Sequence, residues 1–276
     1  MFYKHIAVIE NIFKIFQLSL LIFNFLRRRN FSMSNFTKEK LLSNLGIQSY
    51  CFRKFNNTID IINLCKSIGV EAIELCGIHI DVNNPSDNVK LYQNNSIKIS
   101  SYGCHTFGNN EALDQQVMEF AVANNIDAIS SNFSLDKLDY MEKLCEKYQV
   151  KAAIHNHGRR HILGSVFTLE TIFSKTSKNI GLCLDTAWMI DSGEDPCAVA
   201  QKFADRLYGL HLKDFIFDRA GKPEDVIVGD GNLDLTKLLD FLVSIDYSGY
   251  LTLEYEGNPD NPVESLLKCV EKIKQA

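Results

Sequence analysis

The sequence predicts a single (β/α)8 TIM barrel. From Leu45 onward, short apolar segments alternate with longer amphipathic ones, as in repeated βαβ units. There are eight such alternations, and no Pro-, Gly- or Ser-rich linker divides them. The 276 residues, 46% of them hydrophobic, are sufficient for one such barrel with a full core. A doubly wound open sheet is the structural alternative, but "SYCFRKFNN" after the first strand lacks the Gly-rich turn typical of that fold.

The predicted strands are short and apolar, and amphipathic helical patterns with apolar residues at i, i+3 and i+4 lie between them. One helix, in "TIDIINLCKSIG", is expected to begin with a Thr58 cap and to stop at Gly69. The segment "HIDVNNPSDNVKLYQNNS" has the weakest pattern, and we expect much of it to be loop. The eight strands are expected at Gly46–Cys51, Ala72–Leu75, Ile97–Tyr102, Ala128–Ser131, Lys151–His157, Gly181–Thr186, Gly209–Lys213 and Tyr250–Tyr255.

Residues 1–32 form a hydrophobic and basic leader that precedes the barrel pattern. Its apolar stretch, Ile15 to Leu26, is shorter than the roughly 20 residues of a membrane span, and three arginines follow it. A small-residue cleavage site typical of a secretory signal is not visible. We therefore interpret 1–32 as a disordered leader or an over-extended translation start, with a membrane or targeting segment as the alternative. The barrel domain is expected at residues 45–276.

Composition restricts the expected partners and compartment. The pI of about 5.8 and net charge of −5 give no electrostatic reason to expect a nucleic acid partner, and the basic leader makes the rest of the chain still more acidic. Eight cysteines are scattered without a CxxC pair, which favours free thiols in a reducing compartment. We expect a cytoplasmic protein without stable membrane association. A homo-oligomer is compatible with the sequence.

Potential metal ligands lie at the ends of four strands in the second half of the chain. His155 and His157 stand in "KAAIHNHG", Asp185 in "IGLCLDTAW", His211 in "LYGLHLKDF" and Glu254 in "YLTLEYEG". The carboxyl ends of barrel strands meet at one mouth, so these side chains are expected to converge. Imidazole and carboxylate groups suit one divalent ion such as zinc, manganese or cobalt. A carboxylate in an apolar run must be paired or bound to metal, although helix capping is the alternative for Asp185.

His155 and His157 share one face of their strand because side chains alternate. We expect one of them to be a ligand and the other a hydrogen-bonded residue, without deciding which. Arg159, in the loop that follows, is a candidate for binding a phosphate or carboxylate of a substrate. A solvated loop is the alternative for this arginine.

Other polar residues are candidates for contact with a substrate. Lys213 shares a face with His211 and would polarise a substrate oxygen, or form an ion pair with Asp185 or Glu254. Glu74, within the apolar "AIEL", and His105, after the third strand, are further candidates for substrate binding.

Taken in order, the segments "GLCLDTAW", "YGLHLKDF", "VGDGNLDL" and "YLTLEYEG" resemble the xylose isomerase-like TIM barrel superfamily, over about residues 45–275. This superfamily includes sugar phosphate isomerases and epimerases, inosose dehydratase-like proteins, ketose 3-epimerases and the endonuclease IV group. In the family, a Glu, an Asp, a His and a second Glu bind one divalent ion. The resemblance puts Asp185, His211 and Glu254 on the last three positions. His155 stands where the family has the first Glu, in "HNH" instead of "ENH", and Trp188 stands where a His is common.

The resemblance implies an isomerase or epimerase that acts on a small carbohydrate, with proton transfer next to a carbonyl through a metal-bound enediolate. In the family's epimerases two glutamates act on opposite faces of the substrate. With His155 replacing one of them, Glu254 is expected as the base, and His155 as a ligand or proton donor.

Three alternatives remain open. A keto-sugar or inosose-type dehydratase would use the same site. An endonuclease IV-like phosphodiesterase is disfavoured by the acidic body and the few histidines. In a non-catalytic sugar- or metal-binding barrel, His155 and Trp188 would mark lost chemistry.

Overall fold

A computed structural model describes residues 36–276, so the leader predicted at 1–32 lies outside the described residues. Each of the eight predicted strands overlaps a strand of the structure, and the predicted barrel is confirmed as a nearly closed ring of parallel strands with helices. The strands are β1 Leu45–Gln48, β2 Ala72–Leu75, β3 Lys98–Tyr102, β4 His105–Thr106, β5 Ala128–Asn132, β6 Lys151–His155, β7 Ile180–Asp185, β8 Leu207–Leu212, β9 Phe215–Phe217, β10 Pro223–Asp225 and β11 Leu251–Leu253.

The main sheet has the order β3–β2–β1–β11–β8–β7–β6–β5–β4. Its two end strands, β3 and β4, are parts of one barrel strand, separated by Gly103 and Cys104, whose peptide bond is cis. On one side of this break, the Gly103 N–H donates to the carbonyl of Leu75 at 3.0 Å. On the other side, the Phe107 N–H donates to the carbonyl of Asn132 at 2.9 Å. The first part of the third barrel strand therefore pairs with β2, and its second part pairs with β5. The chain itself thus connects the two ends of the sheet.

Helices follow the strands in the order that the sequence predicts. The weak pattern after β2 forms a helix at Ser86–Asn94, so about half of that segment is helical instead of loop. The α-helices of the described region are α1 Lys38–Leu42, α2 Thr58–Ile68, α3 Ser86–Asn94, α4 Glu111–Ala123, α5 Leu138–Tyr148, α6 Val166–Lys175, α7 Thr186–Asp191, α8 Pro196–Lys202, α9 Leu235–Ser244 and α10 Val263–Gln275.

The start of α2 corrects one expectation. Asn57, and not Thr58, caps the helix, because its side-chain oxygen accepts the N–H groups of Ile59 at 2.8 Å and Asp60 at 3.3 Å. Thr58 is the first helical residue. The predicted end is correct: Gly69 has a φ of +74°, the left-handed conformation in which a glycine commonly ends a helix.

The carboxyl ends of the parallel strands all face one end of the barrel, because each strand pairs with its neighbours in the same direction. Strand β7 is buried along its whole length, as expected for a strand covered by helices outside and by side chains inside. After β8, the chain forms an antiparallel hairpin in which Asp225 of β10 pairs with Phe215 of β9. This hairpin brings residues from a distant loop next to the end of β8.

None of the helices between residues 36 and 276 combines the length and the apolar character that a membrane crossing requires.

Candidate metal centre

Four donor side chains converge at the carboxyl end of the barrel. They are His155 at the end of β6, Asp185 at the end of β7, His211 in β8 and Glu254 directly after β11. One ligand atom from each lies within 4.8 Å of the ligand atoms of the other three. All four residues are buried, with exposed fractions of 4%, 0%, 0% and 8% in that order. The strand ends thus bring together the four residues that the sequence pattern selected.

The cluster contains buried polar atoms whose bonding capacity is unused. Nε2 of His155 and Oδ2 of Asp185 lie 3.5 Å apart. Among residues 36–276, neither of these atoms, nor Nδ1 of His155, has a hydrogen-bond partner. Leaving such atoms buried and unpaired costs about 1–3 kcal/mol each. A divalent cation would satisfy them, and two imidazoles with two carboxylates are a donor set that zinc and related ions accept.

Asp185 is both a helix cap and a member of the donor cluster. Its Oδ1 accepts the N–H of Trp188 at 2.8 Å and so caps α7, which begins at Thr186. Helix α7 was not predicted from the sequence, because its six residues are too few to give a periodic pattern. The second oxygen, Oδ2, remains directed at His155.

The imidazole of His211 lies between two carboxylates. Its Nδ1 is 3.1 Å from Oε2 of Glu254, and its Nε2 is 3.1 Å from Oε2 of Glu74. The buried Glu74 also accepts a hydrogen bond of 2.8 Å from the side chain of Gln48. A carboxylate on the outer nitrogen of a metal-binding histidine fixes the ring orientation and raises its basicity. Glu74 is in position to do this for His211.

Lys213 is a buried cation at the edge of the cluster, 1% exposed. It forms an ion pair with Glu256 and lies 3.9 Å from Asp225. The expected direct ion pair with Asp185 or Glu254 is not the contact observed, because Asp225 of the β9–β10 hairpin and Glu256, which follows β11, supply other carboxylates. Burial disfavours the charged ammonium, but the surrounding carboxylates outweigh it and raise the pKa of Lys213.

The same charges act on the neighbouring acids. Burial alone would raise the pKa of Glu254, but the positive charges of Lys213 and His211 outweigh burial and hold it well below its usual range. Glu254 is therefore ionised. Burial raises the pKa of Asp225 to about 6, with Lys213 opposing the rise.

The two predicted histidines of β6 have different environments. His155 belongs to the donor cluster, whereas Nε2 of His157 is 2.8 Å from Oδ1 of Asn132. The two rings are in edge contact, with centroids 5.1 Å apart. Burial and the nearby charge of His155 lower the pKa of His157 to about 4. The structure thus places His155 in the donor cluster and His157 in a hydrogen bond, while the role of His155 as a ligand stays a prediction.

Two other candidates from the sequence have protein partners. The guanidinium of Arg159 donates to Oδ1 of Asp191 from Nε at 3.1 Å and from Nη2 at 2.9 Å. The ring of His105 lies 2.8 Å from Oδ1 of Asp114. Through these contacts, both side chains hold neighbouring segments of the barrel mouth together.

A cavity of about 320 Å³ lies beside the cluster, on the side of His157. This volume is within the range of small-molecule sites. Its walls combine cationic and aromatic groups, and they include His157, Arg160, His161, Trp188 and Lys222.

Several residues of the mouth were not predicted from the sequence. The side-chain amide of Asn156 exchanges two hydrogen bonds with the main chain of Asp185, at 2.8 and 2.9 Å, and so joins the ends of β6 and β7. Strand alternation had placed Asn156 only on the face opposite the histidines. Asp214 accepts N–H groups from the "VGDGN" turn, including Gly229 and Gly231, both at 3.0 Å. No local pattern connects these residues, which are far apart in sequence.

Comparison with known proteins finds relatives in sequence. A profile of the family "Xylose isomerase-like TIM barrel" matches residues 132–273. An inosose dehydratase from Clostridium beijerinckii is 27% identical over 157 residues, which are 51% of this chain and 52% of that protein. The match thus spans about half the length of this curated relative.

Two solved structures are similar in fold. The 3-keto-D-glucoside 4-epimerase from E. coli has a TM-score of 0.65 at 15% identity, covering 84% of this chain and 99% of that chain. The IolI protein with a bound zinc atom has a TM-score of 0.65 at 16% identity, covering 84% of this chain and 96% of that chain. At such low identities these likenesses show the fold alone.

Proposed function

Because this chain belongs to the xylose isomerase-like TIM barrel family, we propose that it is a divalent-metal-dependent isomerase or epimerase of a sugar, sugar phosphate or polyol. The reaction is proton transfer at a carbon next to a carbonyl. The observation that supports this most is the buried cluster His155, Asp185, His211 and Glu254, with its unpaired donor atoms, at the barrel end where enzymes of this fold hold their active sites. When bound, a divalent ion polarises the carbonyl and hydroxyl oxygens of the substrate and so makes the neighbouring C–H group more acidic.

Glu254 is the proposed base. Its carboxylate is ionised and faces the centre of the cluster. It accepts the proton from the substrate carbon while the C–H electrons form the C=C bond of an enediolate. When the hydroxyl proton passes to the former carbonyl oxygen and the carbon-bound proton returns to the neighbouring carbon, the carbonyl re-forms one position along the chain, which is an isomerisation.

The environment of His155 favours isomerisation over two-faced epimerisation. Inversion at one carbon needs proton donors and acceptors on both faces of the substrate. In this site the second acid/base group would be His155, because the other carboxylate, Asp185, already accepts the N–H of Trp188. One carboxylate base acting on one face is sufficient for a 1,2-proton shift.

The charges of the mouth suggest the kind of substrate. Lys213 remains protonated and lies close enough to the cluster to attract a substrate oxygen. Arg160 and Lys222 line the adjoining cavity, where a phosphate or carboxylate of the substrate would be attracted. An anionic or polyhydroxylated carbonyl compound fits these groups best.

A dehydratase is the second candidate, and two observations favour it. The curated relative that matches half of the chain is named an inosose dehydratase. The charged Lys213 is a cation beside the base, suited to stabilise a departing oxygen. In this reaction Glu254 takes the same α-proton, the C–H electrons form a C=C bond, and the β-hydroxyl leaves with a proton as water.

An exchange experiment in deuterated water separates these reactions. The metal-loaded protein is incubated with a panel of aldoses, ketoses, sugar phosphates and cyclitol ketones, and products are followed by NMR and mass spectrometry. An isomerase gives a product of unchanged composition, with deuterium at the carbon that receives the proton when the base exchanges with solvent. A dehydratase gives a product that has lost one water. Glu254→Gln should abolish either reaction, whereas Glu264→Gln, at an exposed position that pairs with Lys268, should retain it. Turnover unaffected by Glu254→Gln would refute the proposed base.

A further inference from the structure

Cys104 lies at the break in the third barrel strand, where the chain passes directly beside the candidate metal centre. The preceding residue, Gly103, is closely surrounded: a Cβ there would lie 2.5 Å from Cβ of Ser130 and 3.0 Å from Oε1 of Glu74. The side chain of Gln48 also donates to the carbonyl of Gly103 at 3.2 Å. The main chain that carries Cys104 is thus fixed by residues that also hold His211.

The sulfur of Cys104 belongs to a second group of donors that overlaps the first. Its Sγ and one ring nitrogen each from His155 and His211 all lie within 4.8 Å of one another. Ligand atoms around a tetrahedral zinc ion lie about 3.3–3.8 Å apart, as follows from bonds of about 2.0–2.3 Å. A side-chain movement of about 1 Å therefore closes the remaining gap.

The state of His155 independently indicates a ligand at this position. The residue is 4% exposed, and in the described part of the chain neither of its ring nitrogens has a hydrogen-bond partner. Cys104, in contrast, is exposed, unlike the other free cysteines of the described region.

We infer that Cys104 is a thiolate ligand of the divalent ion, with His155 and His211 as the ligands that its donor group shares with the first cluster. The thiol releases its proton to solvent when the sulfur binds the ion. Because thiolate is a soft donor, it favours zinc or cobalt over manganese or magnesium. The inference rests on the metal centre of the proposed function, but it does not depend on which carbohydrate reaction the protein performs.

Cobalt spectroscopy tests the sulfur bond directly. The reduced full chain is stripped of metal and loaded with Co²⁺, and absorption is recorded in the near ultraviolet, where thiolate bound to cobalt gives a charge-transfer band. Wild type should show this band, and Cys104→Ser and Cys104→Ala should lack it. Cys183→Ala is the matched control, because its sulfur is buried nearby, accepts from Ser130 Oγ at 3.4 Å and lies outside both donor groups. This control should keep the band.

Metal preference supplies a second readout. The ratio of zinc to manganese affinity should fall at least about tenfold in Cys104→Ser, a loss comparable to that from removing a group that supports a metal ligand. Cobalt bound by wild type and control but lost from both Cys104 variants would also support the inference. The inference would be overturned if wild type and Cys104→Ser, at equal cobalt content, gave equal spectra and equal ratios of zinc to manganese affinity. The proposed function would still stand in that case. Failure of the wild type to bind cobalt at all would overturn both.

Discussion

The carboxylate of Glu74 lies 3.1 Å from Nε2 of His211, on the side of the imidazole opposite Glu254. This contact joins β2 to β8 across the barrel interior, although the two residues are far apart in sequence. When a divalent ion takes the place of the Nδ1 proton and Nε2 donates to Glu74, the Nδ1 lone pair is directed into the donor cluster, which is the arrangement a metal ligand requires.

Glu74→Gln should lower the affinity for zinc by about 10–100-fold, because the neutral amide orients and polarises His211 less strongly than a carboxylate. Affinity is measured by competition with a chromophoric chelator. Glu71→Gln, at an exposed position next to the same strand, is the matched control and should bind zinc as wild type does. Equal loss in both variants would contradict a specific role for Glu74.

His155→Glu should retain bound metal and should shift the preference toward manganese, since a carboxylate is a harder donor than imidazole. Metal content is determined by elemental analysis after dialysis against mixed ions. His157→Gln preserves a side chain able to bond Asn132 and should leave metal content unchanged. Loss of metal from His155→Glu alone would mean that this position does not accept a carboxylate ligand.

Lys213→Met should destabilise the fold by about 3 kcal/mol, because the buried Glu254 and the partly exposed Glu256 and Asp225 lose the cation that offsets their charge. Urea denaturation gives the free energy of unfolding. Lys237→Met is the control: its ion pair with Asp195 is about half exposed, and its loss should change stability far less than the loss of Lys213 does. Equal losses in the free energy of unfolding for the two variants would show that burial of the Lys213 ammonium does not strengthen its ion pairs.

Asp214→Ala should destabilise the protein by at least about 3 kcal/mol, because several main-chain N–H groups lose a charged acceptor. Asp218→Ala removes a comparable acceptor from the exposed turn of the neighbouring hairpin and should cost only about 1 kcal/mol. Both are measured by chemical denaturation, and equal losses would contradict the prediction. The donors to Asp214 are the N–H groups of Phe215, Gly229, Gly231, Asn232 and Leu233.

The pKa of Asp225, raised mainly by burial from 3.8 to about 6, predicts a dependence of stability on pH. Between these values the folded protein binds a proton that the unfolded chain has released. The contribution of this group therefore favours folding at low pH and is lost as pH rises through about 6. Relative to wild type, Asp225→Asn should gain stability across this interval, by at most about 1.4 kcal/mol per unit of pKa shift. Urea denaturation at about pH 4 and about pH 7 measures the difference, and a constant difference would contradict the assignment.

Periodicity was sufficient to predict the barrel, because its strands are buried and apolar and lie between amphipathic helices. It could not distinguish Asn57 from Thr58 as the cap of α2, since both residue types are good caps and differ here by a single position. The split of the third strand at Gly103 was also not predicted, because a change of pairing partner leaves no mark on hydrophobic alternation.

The donor cluster was predictable because each member stands at the end of its own apolar strand. One partner of Lys213, Asp225, was not predictable, because it lies in the β9–β10 hairpin, whose short strands give no pattern in the sequence. Cys104 was missed for a related reason: a single cysteine in "SYGCH" has no spacing that relates it to His155 or His211.

The two sheet ends that meet at Gly103 and Cys104 are continuous through the chain itself, with β3 paired to β2 and β4 paired to β5. A protease cut between these two residues would remove a covalent link of the barrel circumference without breaking a rung of either ladder. The barrel would become an open sheet with two free edges. The stability that the cut protein retains would show how far the side chains packed inside the barrel, rather than the continuous backbone, maintain the structure of the mouth.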